Sequence, residues 1–201
     1  IGLSLVGSEM CIRDSAQTGR NVTVLEGRSP QSERWLDPVM LHDLLETLQP
    51  SHIVLGPGPG HPNDAHLTMA LAHHALAGQL NVPVLGVCLG HQALALADGR
   101  RIDPSPLGPV HGVPVEVEHD GTGVFESQPS PMELTRYNSL VAIDDGEHAL
   151  LVNATETTTG LVMGLRHPRL EIHGVQVHPE SIGSHEGHRL IDRFLSGEAD
   201  G

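Results

Sequence analysis

Hydrophobic positions follow different periods in the two halves of the chain. Up to about residue 100, short apolar runs alternate with stretches in which apolar residues recur every three or four positions. The predicted strands of this half are residues 21–25, 52–55 and 83–87. The predicted helices are residues 37–49, 65–77 and 91–97. This alternation predicts a doubly wound α/β fold, in which helices cover both faces of a mostly parallel sheet.

From about residue 110 the period becomes two, which is typical of half-buried strands. The predicted strands of this half, separated by Asp/Gly turns, are residues 113–119, 133–136, 149–153 and 161–166. An apolar strand over residues 172–177 and a helix over residues 185–195 follow. We therefore expect a small antiparallel β portion in the second half. No repeat or low-complexity linker divides the chain, so we expect one domain over residues 16–198.

Residues 1–15 do not match the style of the rest of the chain. They lack the basic start and the apolar length of a secretory signal. They resemble the translated read-through of a sequencing adapter, so we interpret them as a segment that is not native and expect no function for Cys11. The alternative interpretation is an ordinary frayed N-terminus.

Charge and composition exclude several classes of function. The net charge is −14 at pH 7, and phosphate binding needs clustered cations, so we expect neither nucleic acid nor an anionic membrane as a partner. No apolar run approaches the ~20 residues of a membrane-spanning helix. All 11 basic residues are arginine, which excludes a lysine Schiff base. Two cysteines do not make a disulfide framework, and a thiolate nucleophile favours a reducing compartment, so we expect the cytoplasm.

The 15 histidines raise the question of a metal site. His73 and His74 are neighbours on a predicted helix and face different directions. His185 and His188 come nearest to a ligand pair, three positions apart. These spacings favour solvated surface histidines, so we expect no metal and no cofactor.

Cys88 carries the strongest chemical signal in the sequence. It follows an apolar strand, within a Gly-x-Cys-x-Gly turn that leads into a helix-like stretch. Small residues on both sides allow a sharp strand-to-helix turn that pushes the thiol outward. Backbone N–H groups at the helix N-terminus favour the thiolate. The alternative is a small core residue at the end of a strand.

A thiolate nucleophile needs a base, and the base needs an orienting acceptor. His178 comes directly after the last predicted strand, and Pro179 stiffens the turn that follows it. Glu180, two residues on, can reach the imidazole and fix its tautomer. The sequence thus predicts a Cys88-His178-Glu180 triad, although His-Pro-Glu by itself is more often a surface turn.

A glycine-rich loop over residues 56–60 follows another predicted strand. Parallel strand ends meet at one edge of the sheet, where ligands bind. Glycines there allow backbone N–H groups to turn toward a developing oxyanion, as does the N–H of Leu89. The alternative is a tight turn without a ligand. A phosphate loop is not favoured, because Lys and Ser/Thr are missing after it.

Four segments together resemble one family. They are Gly-Pro-Gly-Pro-Gly-His-Pro (56–62), Gly-Val-Cys-Leu-Gly-His-Gln (86–92), Arg-Tyr-Asn-Ser-Leu (136–140) and Gly-Val-Gln-Val-His-Pro-Glu-Ser (174–181). In this order they are similar to the class I (triad) glutamine amidotransferases. More narrowly, they are similar to the glutaminase component of anthranilate synthase and of aminodeoxychorismate synthase. The resemblance runs from about residue 20 to residue 196.

The resemblance implies a mechanism and a partner. Cys88 would attack the carboxamide of glutamine and release ammonia through a γ-glutamyl thioester, with His178 as the proton carrier and Glu180 holding it. The ammonia would pass to a chorismate-utilising synthase subunit. The implied substrate-binding positions, with Gly58 and Leu89 forming the oxyanion hole, are Gly58, Pro59, Gly60, Leu89, Gln92, Ser139 and Leu140.

Two departures from the family pattern stand out. The family opens with a strand that ends in an Asp-Asn-Tyr-Asp-Ser-Phe-like loop and a long first helix, and residues 1–15 provide neither sequence. We therefore expect the family's first strand and helix to be missing, a strand edge to be unpaired and the chain to fold poorly. Residues 97–101 replace a Phe/Gly-Gly-Lys-like stretch, which we interpret as drift without effect on catalysis.

Other functions stay open at this point. The same motifs fit the anthranilate and the aminodeoxychorismate glutaminase, because the glutaminase half is shared. A non-catalytic docking module of the same fold and a cysteine hydrolase with another substrate are further alternatives. Loops near His111-Gly112 and near 121–123 are candidate partner contacts.

Overall fold

A computed structural model describes residues 2–6, 21–25, 34 and 37–197, without the side chains of 2–6 and 21. Eleven strands lie in these ranges. They are β1 (Gly2–Val6), β2 (Asn21–Leu25), β3 (Pro50–Leu55), β4 (Val84–Val87), β5 (Ile102–Pro104), β6 (Val113–His119), β7 (Met132–Arg136), β8 (Leu140–Ala142), β9 (Leu151–Glu156), β10 (Val162–Arg166) and β11 (Ile172–Val175). The α-helices of the same ranges are α1 (Pro38–Leu48), α2 (His66–Leu76), α3 (Leu89–Ala97) and α4 (His188–Ser196).

The main sheet has nine strands in the order β2-β1-β3-β4-β11-β10-β9-β6-β7. The first five are parallel and the remaining pairs are antiparallel. The predicted fold class, a mostly parallel α/β sheet with an antiparallel portion in the second half, is confirmed. The carboxyl ends of β3, β4 and β11 therefore meet at one edge, and β7 comes alongside through the bridge between Thr135 and His178.

Local sequence explains where the helices begin and end. The carboxylate of Asp37 accepts a hydrogen bond from the backbone N–H of Val39 at 2.9 Å, and Pro38 takes the first helical position of α1. Gln49 then adopts a left-handed conformation (φ 42°), and Pro50 starts the next strand.

The position of β1 bears on the expected gap in the sheet. Its backbone pairs in parallel with β2 on one side and with β3 on the other. The family's own opening sequence is absent, yet Gly2–Val6 leave neither neighbouring strand edge unpaired. Ladder hydrogen bonds join backbone groups, so a segment of different sequence can take this position. Cys11 lies outside the described residues.

Apolar side chains form two clusters. One holds residues of α2 and α3 with one set of strand positions, and the other holds residues of α4 with another set. The second includes Phe125 and Phe194, while the remaining buried members are aliphatic or sulfur-containing. This agrees with the near absence of aromatic residues.

Residues 97–101 have a structural role that the sequence did not reveal. The guanidinium of Arg100 is buried and donates to Asp144 at 2.6 Å and to the carbonyl of Leu150 at 2.7 Å. The carboxylate of Asp98 accepts from the backbone N–H groups of Ala149 and Leu150, both at 3.0 Å. The segment ties the end of α3 to the chain before β9, and β5 pairs with β8 beside it. The interpretation as drift missed these long-range contacts.

Candidate active site

Cys88 lies on a sharp turn between β4 and α3. Its backbone has φ 53° and ψ −99°, which only a tightly held turn imposes on a residue other than glycine. Its N–H donates to the carbonyl of Val175 at 2.8 Å, which fixes the turn to β11. The side chain is a free thiol, and the residue is 7% exposed.

The two flanking glycines are required by close approaches. A Cβ on Gly90 would lie 2.0 Å from the carbonyl oxygen of Leu55, and one on Gly86 would lie 2.6 Å from the backbone of Gly90. Both distances are below any real Cβ contact, so α3 packs against the strands only because these positions lack side chains. The predicted geometry of a nucleophile elbow is therefore present.

His178 and Glu180 form a hydrogen-bonded pair next to this turn. Nδ1 of His178 lies 2.8 Å from Oε1 of Glu180, whose side chain is only 3% exposed. With Nδ1 engaged, Nε2 is the ring nitrogen left for another group, and it has no other hydrogen-bond partner within the described residues. The Cys88 side chain interacts with the same imidazole. The three predicted residues thus lie together.

The charge of His178 follows from these neighbours. Burial lowers its pKa, but the interactions with Cys88 and Glu180 outweigh burial and raise the pKa from 6.5 to about 10. His178 is therefore an imidazolium at neutral pH when the thiol is ionised. A cysteine thiolate beside an imidazolium is a reactive nucleophile.

A clasp of backbone and hydroxyl groups holds the His178 turn. The N–H of His178 donates to the carbonyl of Thr135 at 2.8 Å. The hydroxyl of Ser184 donates to the carbonyl of His178 at 2.7 Å and accepts from the N–H of Thr135 at 2.9 Å. A Cβ on Gly187 would lie 2.2 Å from the carbonyl oxygen of Pro179, so the chain passes closely under the turn. Sequence analysis missed this clasp, because Thr135 is 49 residues from Ser184.

Tyr137 covers the other side of the histidine ring. Its ring meets that of His178 edge-on, with centroids 4.9 Å apart and an interplanar angle of 71°. The phenol oxygen is 3.3 Å from the hydroxyl of Ser181. An edge-on aromatic contact restricts the rotation of the imidazole.

The proposed oxyanion-hole positions are neighbours. A Cβ on Gly58 would lie 3.0 Å from Cδ2 of Leu89, and Leu89 is the first residue of α3. N–H groups in the first turn of a helix lack a partner within that helix. Pro59 and Gly60 are exposed beside them, and Gly60 has φ 77°, a conformation that suits glycine.

Gln92 and Leu140 are linked directly. The Gln92 amide donates to the carbonyl of Leu140 at 2.9 Å and to Oε1 of Gln176 at 3.0 Å, and Gln92 is 3% exposed. The amide of Asn138 donates to the same carbonyl at 2.8 Å. Ser139 is exposed, and its carbonyl accepts from the N–H of Ser105 at 2.8 Å. Gln92 thus supports the 138–140 segment, while Ser139 is the member of this group that faces solvent.

His91 belongs to the elbow motif but is completely buried. Burial lowers its pKa to about 4, against a smaller opposing effect of its hydrogen bond to the Gly174 backbone. It is therefore a neutral packing residue between α3 and β11. Among the described residues, no three His, Cys, Asp or Glu side chains are grouped so that they could hold a metal ion.

Membrane insertion and family membership are separate questions. Within the ranges that the structure covers, no helix combines the length and the apolar character needed to cross a bilayer. A cysteine elbow at the carboxyl edge of a parallel sheet, next to a paired histidine and glutamate, defines the class of α/β proteins with a nucleophile elbow. A family model described as "Glutamine amidotransferase class-I" matches residues 7–197. The chain belongs to the class I glutamine amidotransferase family.

Individual relatives are similar over most of this chain. An aminodeoxychorismate synthase of Streptomyces griseus is 45% identical over 168 residues, which are 84% of this chain and 22% of that protein. Anthranilate synthase component 2 of Azospirillum brasilense is 43% identical over 149 residues, 74% of each chain. Aminodeoxychorismate synthase component 2 of Escherichia coli K12 is 40% identical over 159 residues, 79% of this chain and 82% of that one.

Solved structures share the fold at low identity. A protein from Thermoplasma acidophilum, described as a putative GMP synthase, has a TM-score of 0.78 at 19% identity, covering 98% of this chain and 92% of that chain. At this identity the likeness supports the fold alone.

Proposed function

We propose that the chain is a glutaminase that uses Cys88, His178 and Glu180 to release ammonia from glutamine. The observation that carries this proposal is the His178–Glu180 pair at 2.8 Å, placed against the thiol of a strained elbow. Family membership supports the choice of glutamine.

Each step of the reaction has a group to perform it. The Cys88 thiolate attacks the side-chain carbonyl carbon of glutamine, and the C=O electron pair moves onto the oxygen. His178 gives its Nε2 proton to the amide nitrogen, and ammonia leaves as the C–N bond breaks. A water then loses a proton to His178 and attacks the γ-glutamyl thioester, which releases glutamate and restores the thiolate.

The backbone N–H groups of Gly58 and Leu89 would bind the oxyanion of both tetrahedral intermediates. Fixed N–H donors stabilise charge that develops only on the way through the reaction. Pro59, Gly60, Ser139 and the Gln92–Leu140 pair would contact or shape the site for the glutamine amide, amino and carboxylate groups.

The partner follows from the relatives rather than from the site. Two of them are named as component 2 of anthranilate synthase or aminodeoxychorismate synthase, so we propose that ammonia passes to a chorismate-aminating synthase subunit. The anthranilate synthase type is our first choice, and the aminodeoxychorismate type, for folate synthesis, is the alternative. Ile182 is 97% exposed and Tyr137 42% exposed beside His178, and exposed apolar residues of this size are typical of interaction surfaces.

The two loops considered as partner contacts lie at different edges of the sheet. Gly112 adjoins Tyr137, since a Cβ on it would be 3.3 Å from that ring, so this loop is near the site. Gly123 instead adjoins His173, close to the amino end of β11. The first loop is therefore the better candidate for a synthase that receives ammonia.

The test compares the two cysteines of the chain. Glutamine hydrolysis is measured with and without a chorismate-aminating synthase subunit. We expect Cys88→Ser to lose at least about 100-fold in kcat, because an alcohol lacks the nucleophilicity of a thiolate at neutral pH. Cys11→Ser is the matched control and should keep its activity.

Three outcomes would count against the proposal in different ways. Activity that survives Cys88→Ser would remove the nucleophile assignment. An unaltered chain that binds the synthase without hydrolysing glutamine would favour the non-catalytic docking module. Hydrolysis of another amide or ester in preference to glutamine would favour the cysteine hydrolase.

A further inference from the structure

A cavity of about 390 Å³ lies at the edge of the sheet opposite to Cys88. Pro83 and Glu171, which come just before β4 and β11, form part of its wall. The proposed glutaminase reaction takes place at the other ends of these two strands. The cavity is thus separate from the candidate active site.

Positive charge is concentrated in this wall. Three of the 11 arginines of a chain with a net charge of −14 line it, together with two histidines. These five residues are Arg166, His167, Arg169, His173 and Arg193. Such a concentration is unexpected in an acidic protein unless it serves a ligand.

The two carboxylates of the wall are already engaged. Glu126 pairs with Arg193, and Glu171 lies 3.1 Å from Nε2 of His173. Within the described part of the chain, Arg166 and Arg169 have no carboxylate partner. Two guanidinium charges at the cavity are therefore not balanced by the protein itself.

Arg166 is held in place by the sheet. It lies opposite His173 in the antiparallel pairing of β10 with β11, so the two side chains share one face. Its Nε is buried and makes no hydrogen bond to any described group. Burial, followed by the charges of Arg166 and Arg193, outweighs the opposing effect of Glu171 and lowers the pKa of His173, which indicates that these cations converge.

An anion would satisfy this arrangement. A buried N–H of a charged group without an acceptor is destabilising, and an oxyanion supplies the acceptor and the opposite charge together. The planar guanidinium fork matches the oxygens of a carboxylate or a phosphate. We propose that the cavity binds a small carboxylate or phosphate anion through Arg166 and Arg169.

The test measures binding directly, so its result does not depend on the glutaminase proposal. Inorganic phosphate and malonate are titrated separately into the full chain by calorimetry at constant ionic strength. We expect at least one of them to bind with one-to-one stoichiometry, and the stronger of the two identifies the class of anion. Arg166→Gln should weaken binding by about tenfold or more, since it removes a charge-assisted hydrogen bond.

Two further variants make the result decisive. Arg169→Gln changes an exposed residue, so it tests the site even if Arg166→Gln disturbs folding. Arg189→Gln is the matched control, because Arg189 lies on α4 outside the cavity and pairs with Glu186 at 3.1 Å. No binding of either anion, or equal binding by Arg169→Gln and the unaltered chain, would overturn the proposal.

Discussion

His178 depends on Glu180 for its charge as well as for its orientation. The carboxylate is 2.8 Å away, and its side chain is 3% exposed, so solvent screens the interaction little. Because the pKa is raised from 6.5 to about 10, the imidazolium adds stability that is fully present below pH 6.5 and is lost as pH rises toward 10. The same range bounds the reactive thiolate–imidazolium pair.

Replacing Glu180 should move this upper limit. In Glu180→Gln the pKa of His178 falls, because a neutral amide no longer favours the charged ring. We expect the alkaline limb of kcat/KM for glutamine to shift to lower pH and kcat to fall by about 10- to 100-fold. A pH profile of kcat/KM measures both effects.

Glu186→Gln is the control for Glu180→Gln, because Glu186 pairs with Arg189 at the surface. Its profile should match that of the unaltered chain. An alkaline limb that stays in place in Glu180→Gln would show that the carboxylate does not set the charge of His178.

Among single residues, those with local sequence signals were predictable. Gly86, Cys88 and Gly90 share one turn, and His178 and Glu180 are two positions apart, so their proximity follows from short-range geometry. Thr135 and Ser184 are 49 residues apart, and nothing in the spacing of either indicates that they meet. Gln92 and Leu140, linked over 48 residues, were placed together by family resemblance alone.

The turn after β11 is an element in its own right, because Ser184 fastens it to β7. Ser184→Ala removes both hydroxyl hydrogen bonds and leaves the buried N–H of Thr135 and the carbonyl of His178 without this partner. We expect the free energy of unfolding to fall by about 2 kcal/mol. We also expect kcat for glutamine to fall with little change in KM, because the substrate contacts come from other elements.

Ser196→Ala is the matched change, since that exposed hydroxyl bonds only within α4. Urea unfolding and glutaminase kinetics on both variants separate the two effects of Ser184→Ala. A Ser184→Ala variant that is less stable but keeps the kcat of the unaltered chain would reduce the clasp to a purely structural role.

Length decided which elements the sequence could predict. Helices α1 and α2 and the longer strands have enough residues to show a period, and β2 and β6 match their predicted bounds. β5 and β8 have three residues each, too few for a periodic pattern. The start of α3 was predicted two residues late, because the helix begins directly after Cys88 in a backbone conformation that propensity does not anticipate.

At the scale of the molecule, the sheet is continuous through β1. An interior strand uses its backbone groups on both sides, so a proline within it removes a ladder hydrogen bond that side chains cannot replace. We expect Ser4→Pro to lower the melting temperature by at least several degrees, while Ser4→Ala leaves it nearly unchanged. Thermal circular dichroism of both variants makes the comparison.

The same measurement on the unaltered chain tests the expectation of poor folding. That expectation rests on an opening sequence unlike the family's, and the pairing of β1 provides backbone partners where a gap was expected. A sharp cooperative transition would contradict poor folding. Equal melting of Ser4→Pro and Ser4→Ala would instead mean that Gly2–Val6 contribute nothing to the sheet.

The edge-on contact of Tyr137 with His178 has a spectroscopic consequence. Tyr137 is the only tyrosine in the chain, and its ring centroid lies 4.9 Å from that of the imidazole. A fluorine placed on tyrosine rings during biosynthesis would therefore give a single NMR resonance, located beside the reactive centre. Its chemical shift would follow the gain and loss of the imidazole proton in real time, without any change to the residues that act on the substrate.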